Sequence, residues 1–335
     1  MRAARIHRYG PPEVLSIDEV PEPEPGPRDV VVEVHATSVN PVDWKIRSGG
    51  QRALIHYRLP WTLGLDVSGR VVKVGSAVTR FRIGDEVYGS PTHRRPGTYA
   101  DYVAIDERAL ALKPRNLTHV EAASIPLVGL TAWDALVVGG RLRAGEKALI
   151  HAGSGGVGTF AIQLAKALRA HVATTTSARN VELVRSLGAD EIIDYRERRF
   201  DEVLAGYDLV LDALGGQERD RSLRVLKKGG RLPTMIGGFP EETKKRGVVL
   251  GAITATLKLA SLHLRAAMRG VEVYMVLRES DGRMLEAITS HIERGAIRAV
   301  IDRVFPLEAI AEAHAYSESG RARGKIAIAV RGEGS

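Results

Sequence analysis

The spacing of apolar residues changes along this chain and divides it. Up to about residue 120 the apolar runs are short: Val30-Val-Val-Glu-Val-His35, Gly69-Arg-Val-Val-Lys-Val-Gly75, Gly84-Asp-Glu-Val-Tyr88 and Tyr99-Ala-Asp-Tyr-Val-Ala104. Short strands between glycine turns predict a small, partly closed barrel, entered through a proline-rich connector at 20–27. From Thr118 the period becomes helical. Thr118-His-Val-Glu121 has the form of a capping box, Pro126 interrupts, and 127–138 again reads as helix. After Gly145 the two periods alternate. Strands are predicted at 147–151, 170–175, 191–194, 209–212, 231–236 and 272–277, with helices at 157–168, 180–187, 219–226 and 254–268. Such alternation predicts an α/β fold with a doubly wound parallel sheet. The tail adds a helix capped by Asp281, a strand at 300–305, a helix at 307–316 and a last strand at 325–330.

One stretch carries the clearest chemistry: Ala148-Leu-Ile-His-Ala-Gly-Ser-Gly-Gly-Val-Gly-Thr159. Gly153, Gly155 and Gly158 fall at the spacing G-x-G-x-x-G, with Ser154, Gly156 and Val157 between them. An apolar strand precedes them. A helix face of Val157, Ala161, Leu164, Ala165 and Leu168 follows. In that context the spacing predicts a dinucleotide site. The first glycine allows the turn, the second lets a pyrophosphate approach the backbone, and the third lets helix pack on strand. The helix N-terminus then offers N–H groups to phosphate.

Composition narrows the setting. The chain has 335 residues, 44% hydrophobic and 26% charged, which suits two globular domains. Met1-Arg-Ala-Ala-Arg5 has no apolar core behind it, so no signal peptide is expected. No run of about 18 apolar residues is evident. The most apolar segment, 248–260, holds Thr254, Thr256 and Lys258 and reads as short, so no membrane partner is expected. With no cysteine, disulfides and cysteine-based zinc sites are excluded. A cytoplasmic protein is expected. The net charge of +8 comes mostly from scattered arginines without an aromatic platform. That reads as solvated surface, and nucleic-acid binding is not expected.

Several further stretches gain meaning together: Ser38-Val-Asn-Pro-Val-Asp-Trp-Lys-Ile-Arg-Ser-Gly49, Leu63-Gly-Leu-Asp-Val-Ser-Gly69, Ile125-Pro-Leu-Val-Gly-Leu-Thr-Ala-Trp133, Leu187-Gly-Ala-Asp190 with Asp194-Tyr195, and Gly320-Arg-Ala-Arg-Gly-Lys325. With the glycine turn, and in this order, they resemble the zinc-free quinone-oxidoreductase branch of the medium-chain dehydrogenase/reductases. The resemblance implies a GroES-like β-barrel domain at 1–121, a Rossmann domain at 122–279 and a return segment at 280–335 that completes the first domain. Zinc-dependent relatives use a cysteine and a Gly-His-Glu segment. Here Asn40 stands near the first position and Gly64-Leu65-Asp66 replaces the second, so no metal is expected.

The cofactor reading turns on charge. An NAD site usually carries an acid about 20 residues beyond the glycines. Here Thr174-Thr-Thr-Ser-Ala-Arg-Asn180 has none. Thr176 and Ser177 can donate hydrogen bonds, and Arg179 can pair with a 2′-phosphate. The alternative is a helix cap at Ser177 beside a solvated arginine. The resemblance places Tyr195 near the same phosphate, and NADPH is the expected cofactor. Leu214 and Gly215, and Ile236 and Gly237, lie at strand ends where such sheets bind ligands, or simply turn the chain. By resemblance Thr131 lies near the nicotinamide, or else bonds its own helix. Lys325 matches a lysine that approaches the cofactor, or else is a surface lysine.

Asn40 could donate to a substrate carbonyl as charge develops there. Asp43 either orients it or, the reading preferred, pairs structurally with Lys45 or Arg47. Trp44 stands where relatives often carry tyrosine and is no proton source, so water is the expected donor. The resemblance then implies a zinc-independent, NADPH-dependent oxidoreductase acting on a quinone or an α,β-unsaturated carbonyl. The alternatives are a trans-2-enoyl-thioester reductase, and an NADPH-binding protein with a structural or RNA-binding role of the zeta-crystallin kind. The strand at 272–277, at the sheet edge, is expected to pair two copies into a homodimer.

Overall fold

The computed structural model describes residues 1–52, 55–95, 97–235 and 239–332, with the backbone alone at 240, 241 and 244. It divides into two compact units, Met1–Leu130 with Glu279–Ser335, and Thr131–Arg278. The first boundary falls later than the 121–122 expected from the change of period. Residues 122–130 go with the first unit.

In the first unit the chain forms β1 (Arg2–Ile6), β2 (Leu15–Glu19), β3 (Asp29–Val39), α1 (Pro41–Arg47), β4 (Trp61–Thr62), β5 (Val67–Val74), β6 (Glu86–Gly89), β7 (Tyr102–Asp106), β8 (Leu110–Leu112) and α2 (His119–Ala123). The capping box at Thr118 is formed: its hydroxyl accepts from the Glu121 N–H, and Glu121 accepts in return. β3 organises the unit. Its Val30, Val32 and Val34 are fully buried, as suits a β-branched run, and it pairs antiparallel with β5 and β7. α3 (Pro126–Trp133) opens with proline at its first position, where the missing N–H costs nothing.

The second unit alternates strand and helix, with two helices in succession before its last strand. β9 (Lys147–Ile150), α4 (Gly156–Ala167), β10 (His171–Thr176), α5 (Val181–Ser186), β11 (Glu191–Asp194), α6 (Phe200–Val203), β12 (Tyr207–Leu211), α7 (Gly216–Val225), β13 (Leu226–Thr234), α8 (Phe239–Arg246), α9 (Val248–Met268) and β14 (Glu272–Met275) follow in turn. The strands lie parallel in the order β11-β10-β9-β12-β13-β14. The order reverses beside β9, which makes the crevice at its carboxyl end the ligand position of such sheets. Leu149, Ala173, Val210 and Leu232 bring the strands into one core with Leu223, Leu262 and Ala266.

Two expectations change here. α9 begins at Val248, not 254, and runs for 21 residues, long and apolar enough by length and composition to cross a membrane. The 248–260 segment is therefore not short. β14 ends at Met275, two residues before the strand expected at 272–277, and lies at the sheet edge.

From Glu279 the chain rejoins the first unit. α10 (Gly282–Glu293) is capped by Asp281, which accepts from the Arg283 and Met284 N–H groups. β15 (Ile301–Pro306), α11 (Ile310–Glu318) and β16 (Lys325–Ala329) follow. β16 pairs antiparallel with β3, Ile326 opposite Val39, and parallel with β15. Ile310, Ile326 and Ile328 join Val30, Val32 and Val34 in one core. The first unit is thus a barrel-like assembly closed by the tail, and the second a Rossmann sheet.

Candidate functional site

In the second unit the glycine turn follows β9. Its tight turn is made by Ala152, whose φ is +53°, not by the first glycine. Gly153 serves contact instead: a Cβ there would lie 2.0 Å from the Thr174 hydroxyl. Gly158 likewise lets α4 close on the turn, since its Cβ would fall 2.3 Å from the Ala152 carbonyl oxygen. Gly155 differs. The nearest atom to its Cβ position is the Ala152 oxygen at 3.4 Å, which leaves the backbone open beside the first N–H groups of α4. Gly156 and Val157, at that N-terminus, present N–H groups with no earlier turn to accept them.

The second strand, β10, ends next to this turn. Thr176 donates to the Ser154 hydroxyl at 3.2 Å, and the Asn180 amide donates to it at 2.9 Å. Ser177 is buried and stands at the N-cap position of the short turn 178–180, without a side-chain cap bond. Its hydroxyl accepts from Asn180 at 3.4 Å. Asn180 Oδ1 is buried without a partner among the described residues. Arg179 is exposed, and among the described residues no ion pair holds it. The Tyr195 N–H donates to the Thr176 carbonyl at 3.2 Å, which places Tyr195 beside Thr176, its ring exposed. Asp194, opposite Thr176 in register, accepts the Arg196 N–H at 2.9 Å.

β12 ends at a buried carboxylate. Asp212 accepts from the Leu214 and Gly215 N–H groups at 3.0 and 2.7 Å and from the Thr234 hydroxyl at 2.7 Å. Gly215 has φ +69°, so it turns the chain as the alternative reading had it, and Leu214 is left exposed. His151 is buried between the hydroxyls of Thr175 and Ser222, and burial pushes it down to about 4. Ile236 and Gly237 lie outside the described residues.

The first unit gathers its polar side chains around Asp66. Its Oδ2 accepts from the Ser38 hydroxyl at 2.5 Å, Asn40 Nδ2 at 2.7 Å and Lys325 Nζ at 3.2 Å, and its Oδ1 accepts from the Leu127 N–H at 2.7 Å. Lys325 also donates to Asn40 Oδ1. It is 5% exposed, so it is no surface lysine. Asn40 thus has its amide oxygen and one of its two amide N–H groups engaged. Through Leu127 the carboxylate caps α3, the helix that carries the buried Thr131.

Beside it lies a second group. Asp43 accepts from the Asn40 N–H at 2.8 Å and the Tyr99 hydroxyl at 3.1 Å. It pairs with neither Lys45 nor Arg47, since Arg47 reaches Glu318 at 2.6 Å. Asp43 instead caps α1 by accepting the Asn40 N–H. Full burial pushes Asp43 up to about 7. The Asn40 N–H opposes this and the charge of Asp66 adds to it. Burial also raises Tyr99 well above its usual range and takes His314, which touches the Tyr99 hydroxyl at 3.3 Å, down to about 3. Trp44 Nε1 is buried without a partner among the described residues.

Comparison with known proteins fits this geometry. Residues 26–115 match the alcohol dehydrogenase GroES-like domain, and 187–328 match the zinc-binding dehydrogenase family. The chain is 38% identical to the mitochondrial NAD(P)H oxidoreductase RTN4IP1 of Bos taurus, over 98% of this chain and 89% of that protein. It is 34% identical to the chloroplastic NADPH-dependent alkenal/one oxidoreductase of Arabidopsis thaliana, over 98% and 79%. The chain belongs to the medium-chain dehydrogenase/reductases. Within them it falls in the quinone-oxidoreductase-like branch and is an oxidoreductase. The quinone oxidoreductase of Coxiella burnetii superposes with a TM-score of 0.85 at 32% identity, covering 99% of both chains. That of Escherichia coli, solved with NADPH, gives 0.82 at 27%, covering 98% of this chain and all of that one.

These medium-chain relatives correct the cytoplasmic expectation, since those named are mitochondrial or chloroplastic. Missing cysteines and a basic charge suit those compartments as well as the cytosol. At the family's zinc positions, Asn40 and Asp66 are instead bound to each other and to an ammonium group. Among the described residues no group of three or more acids and histidines is set to hold a metal ion. Asp66 escaped the sequence reading, although a signal existed: Ser38, on β3, and Asn40, extended just beyond its end, are two apart and so share a face. Nothing in the sequence links Tyr99 to His314.

Proposed function

We propose that this medium-chain enzyme is an NADPH-preferring reductase of quinones or α,β-unsaturated carbonyls that works without zinc. The observation that carries the cofactor reading is the end of β10, where Thr176 and Ser177 stand in place of an acid and Arg179 is exposed and unpaired. A 2′-phosphate there meets hydroxyls and a guanidinium, while the Asp194 carboxylate opposite Thr176 is engaged by the Arg196 N–H. Tyr195 borders the same place. The open backbone at Gly155 and the N-terminus of α4 suit the pyrophosphate. Gly215 and Leu214, beyond the end of β12, belong to the cofactor's path in this reading.

The bound cofactor supplies hydride. The chain's own contribution is position and electrostatics. Asp66, Asn40 and Lys325 form a closed set with internal charge balance, so Asn40 acts by holding Lys325 and Asp66 in place. Asp43 positions Asn40 through its backbone N–H, and Thr131 on α3 is the nicotinamide neighbour in this reading. Water delivers the proton. The relatives named for quinones and for alkenals and enones support that acceptor class. The edge strand β14 supports a homodimer.

Steady-state oxidation of NADPH and NADH, with small quinones, enones and crotonyl thioesters as acceptors, tests the reading. Wild type is expected to favour NADPH and to keep its rate in a chelator. Arg179→Ala is expected to raise KM for NADPH about tenfold while leaving NADH nearly unchanged. A rate abolished by chelation and restored by zinc would remove the zinc-free mechanism. An Arg179→Ala enzyme with an unaltered cofactor preference would remove Arg179 from the site.

A further inference from the structure

α9 leaves an apolar stripe open along its length. Leu250, Ile253, Leu257, Leu264 and Met268 recur at helical steps and so share a face. Their exposure runs from 52% at Ile253 to 80% at Met268. The opposite face is the anchored one. Leu262 and Ala266 belong to the core of the unit, and Gly251 and Ala255 are buried. Gly251 sits so close to α8 that a Cβ would lie 2.4 Å from the Thr243 backbone.

Charge is arranged around the stripe. α9 contains no acidic residue. Lys258 and Arg265 each follow a stripe leucine by one position, about 100° round the helix. Lys245 and Arg246 precede the helix, and Arg269 ends it. Arg246 and Lys258 share Glu242, and Arg265 pairs with Asp220. Among the described residues Lys245 and Arg269 have no ionic partner.

We propose that α9 is a membrane-surface anchor whose stripe beds into the interfacial layer of an anionic bilayer, with its flanking cations against the headgroups. An exposed apolar helix face bordered by lysine and arginine is the pattern of helices that lie in this layer. Spanning is ruled out by the buried opposite face and by Lys258, which would sit near the bilayer centre. A second copy is a poor occupant. A two-fold pairing of this face would add the unpaired Lys245 and Arg269 of each copy to one interface, and α9 has no acid to meet them. The anchor holds whichever acceptor takes the hydride.

Co-sedimentation of the full chain with vesicles tests this. The probes are phosphatidylcholine alone and phosphatidylcholine with about one-third phosphatidylglycerol. Wild type is expected to bind the anionic vesicles about tenfold or more tightly than the neutral ones, and less tightly as salt rises. Leu257→Glu with Leu264→Glu is expected to lose this binding while keeping the thermal midpoint. Lys245→Glu with Arg269→Glu is expected to lose the preference for anionic lipid. The proposal is overturned if wild type stays in the supernatant with anionic vesicles, or if the leucine variant binds them like wild type. It is also overturned if the leucine variant only reduces the size of the protein assembly without touching vesicle binding, which would assign the stripe to a second copy.

Discussion

Gly155 and Gly158 stand three residues apart in one motif and answer to different constraints. Gly158 is fixed by packing, because a methyl group there would overlap the Ala152 carbonyl. Gly155 has φ −81°, ψ 172° and room for a Cβ, so neither conformation nor packing requires it, and the proposed pyrophosphate contact is what would. Gly158→Ala is therefore expected to cost about 2 kcal/mol or more of stability in urea unfolding. Gly155→Ala should unfold within about 0.5 kcal/mol of wild type, yet raise KM for NADPH. Equal loss of stability in both would contradict this division. The motif's spacing was legible in the sequence, but its division of labour was not. Spacing does not reveal that Ala152 takes the left-handed turn, a conformation that a non-glycine residue adopts at a cost.

Asp43 makes a second argument at this scale. Burial raises it from 3.8 to about 7 in the folded chain, so between those values the folded state holds a proton that the unfolded state has released. Its contribution to stability is complete below the lower value and is lost as pH rises through the upper one, at up to about 1.4 kcal/mol per pH unit. Asp43→Asn should remove this slope. Urea midpoints of wild type and variant from pH 4.5 to 7.5 are expected to diverge, wild type losing ground as pH rises. His151 and His314 act the other way, since burial keeps them neutral and acid costs stability as pH falls below 6.5. They are common to both proteins and cancel in the difference. Parallel curves would show that Asp43 is ionised when folded.

Among elements, Asp66 is a junction. One carboxylate ties β3 through Ser38, the segment beyond β3 through Asn40, β16 through Lys325 and α3 through Leu127. Removing it leaves an ammonium buried and a helix uncapped. Asp66→Ala is expected to cost about 3–5 kcal/mol. Asp66→Ala combined with Lys325→Met should recover part of that loss, because no unpaired charge remains. A double-mutant cycle in denaturant measures this, and strict additivity would sink it. Elements with a clean period were legible: α4, α10 and the core strands of the Rossmann sheet lie close to where the apolar spacing places them. α9 was not, because Thr254, Thr256 and Lys258 interrupt its apolar run. In the folded chain it is anchored by small residues, Gly251, Ala255 and Ala266, which carry little hydropathic signal. The Asp66 cluster was half legible for a similar reason. Its members are 28, 26 and 259 residues from Asp66 along the chain, and only the family resemblance drew attention to Lys325.

At the scale of the molecule, β14 leaves one edge of the Rossmann sheet with no strand beside it among the described residues, and Leu277 just beyond it is exposed. Such an edge calls for a cover. Sedimentation velocity at micromolar concentration is expected to show a dimer, and Leu277→Lys to weaken it about tenfold. A monomer alone would refute the pairing.

The tail has a consequence for synthesis. The Rossmann unit is one continuous stretch, finished once residue 278 has been made, whereas β3 receives its neighbour β16 only from residues 325–329. On the ribosome the middle stretch of the chain is therefore complete first. Meanwhile Ala36–Val39 wait with an open edge, next to the two residues, Ser38 and Asn40, that will later hold Asp66. A nascent chain stalled before its last helix carries a finished cofactor fold beside an unclosed barrel, and that edge is where a chaperone or another nascent chain would find it.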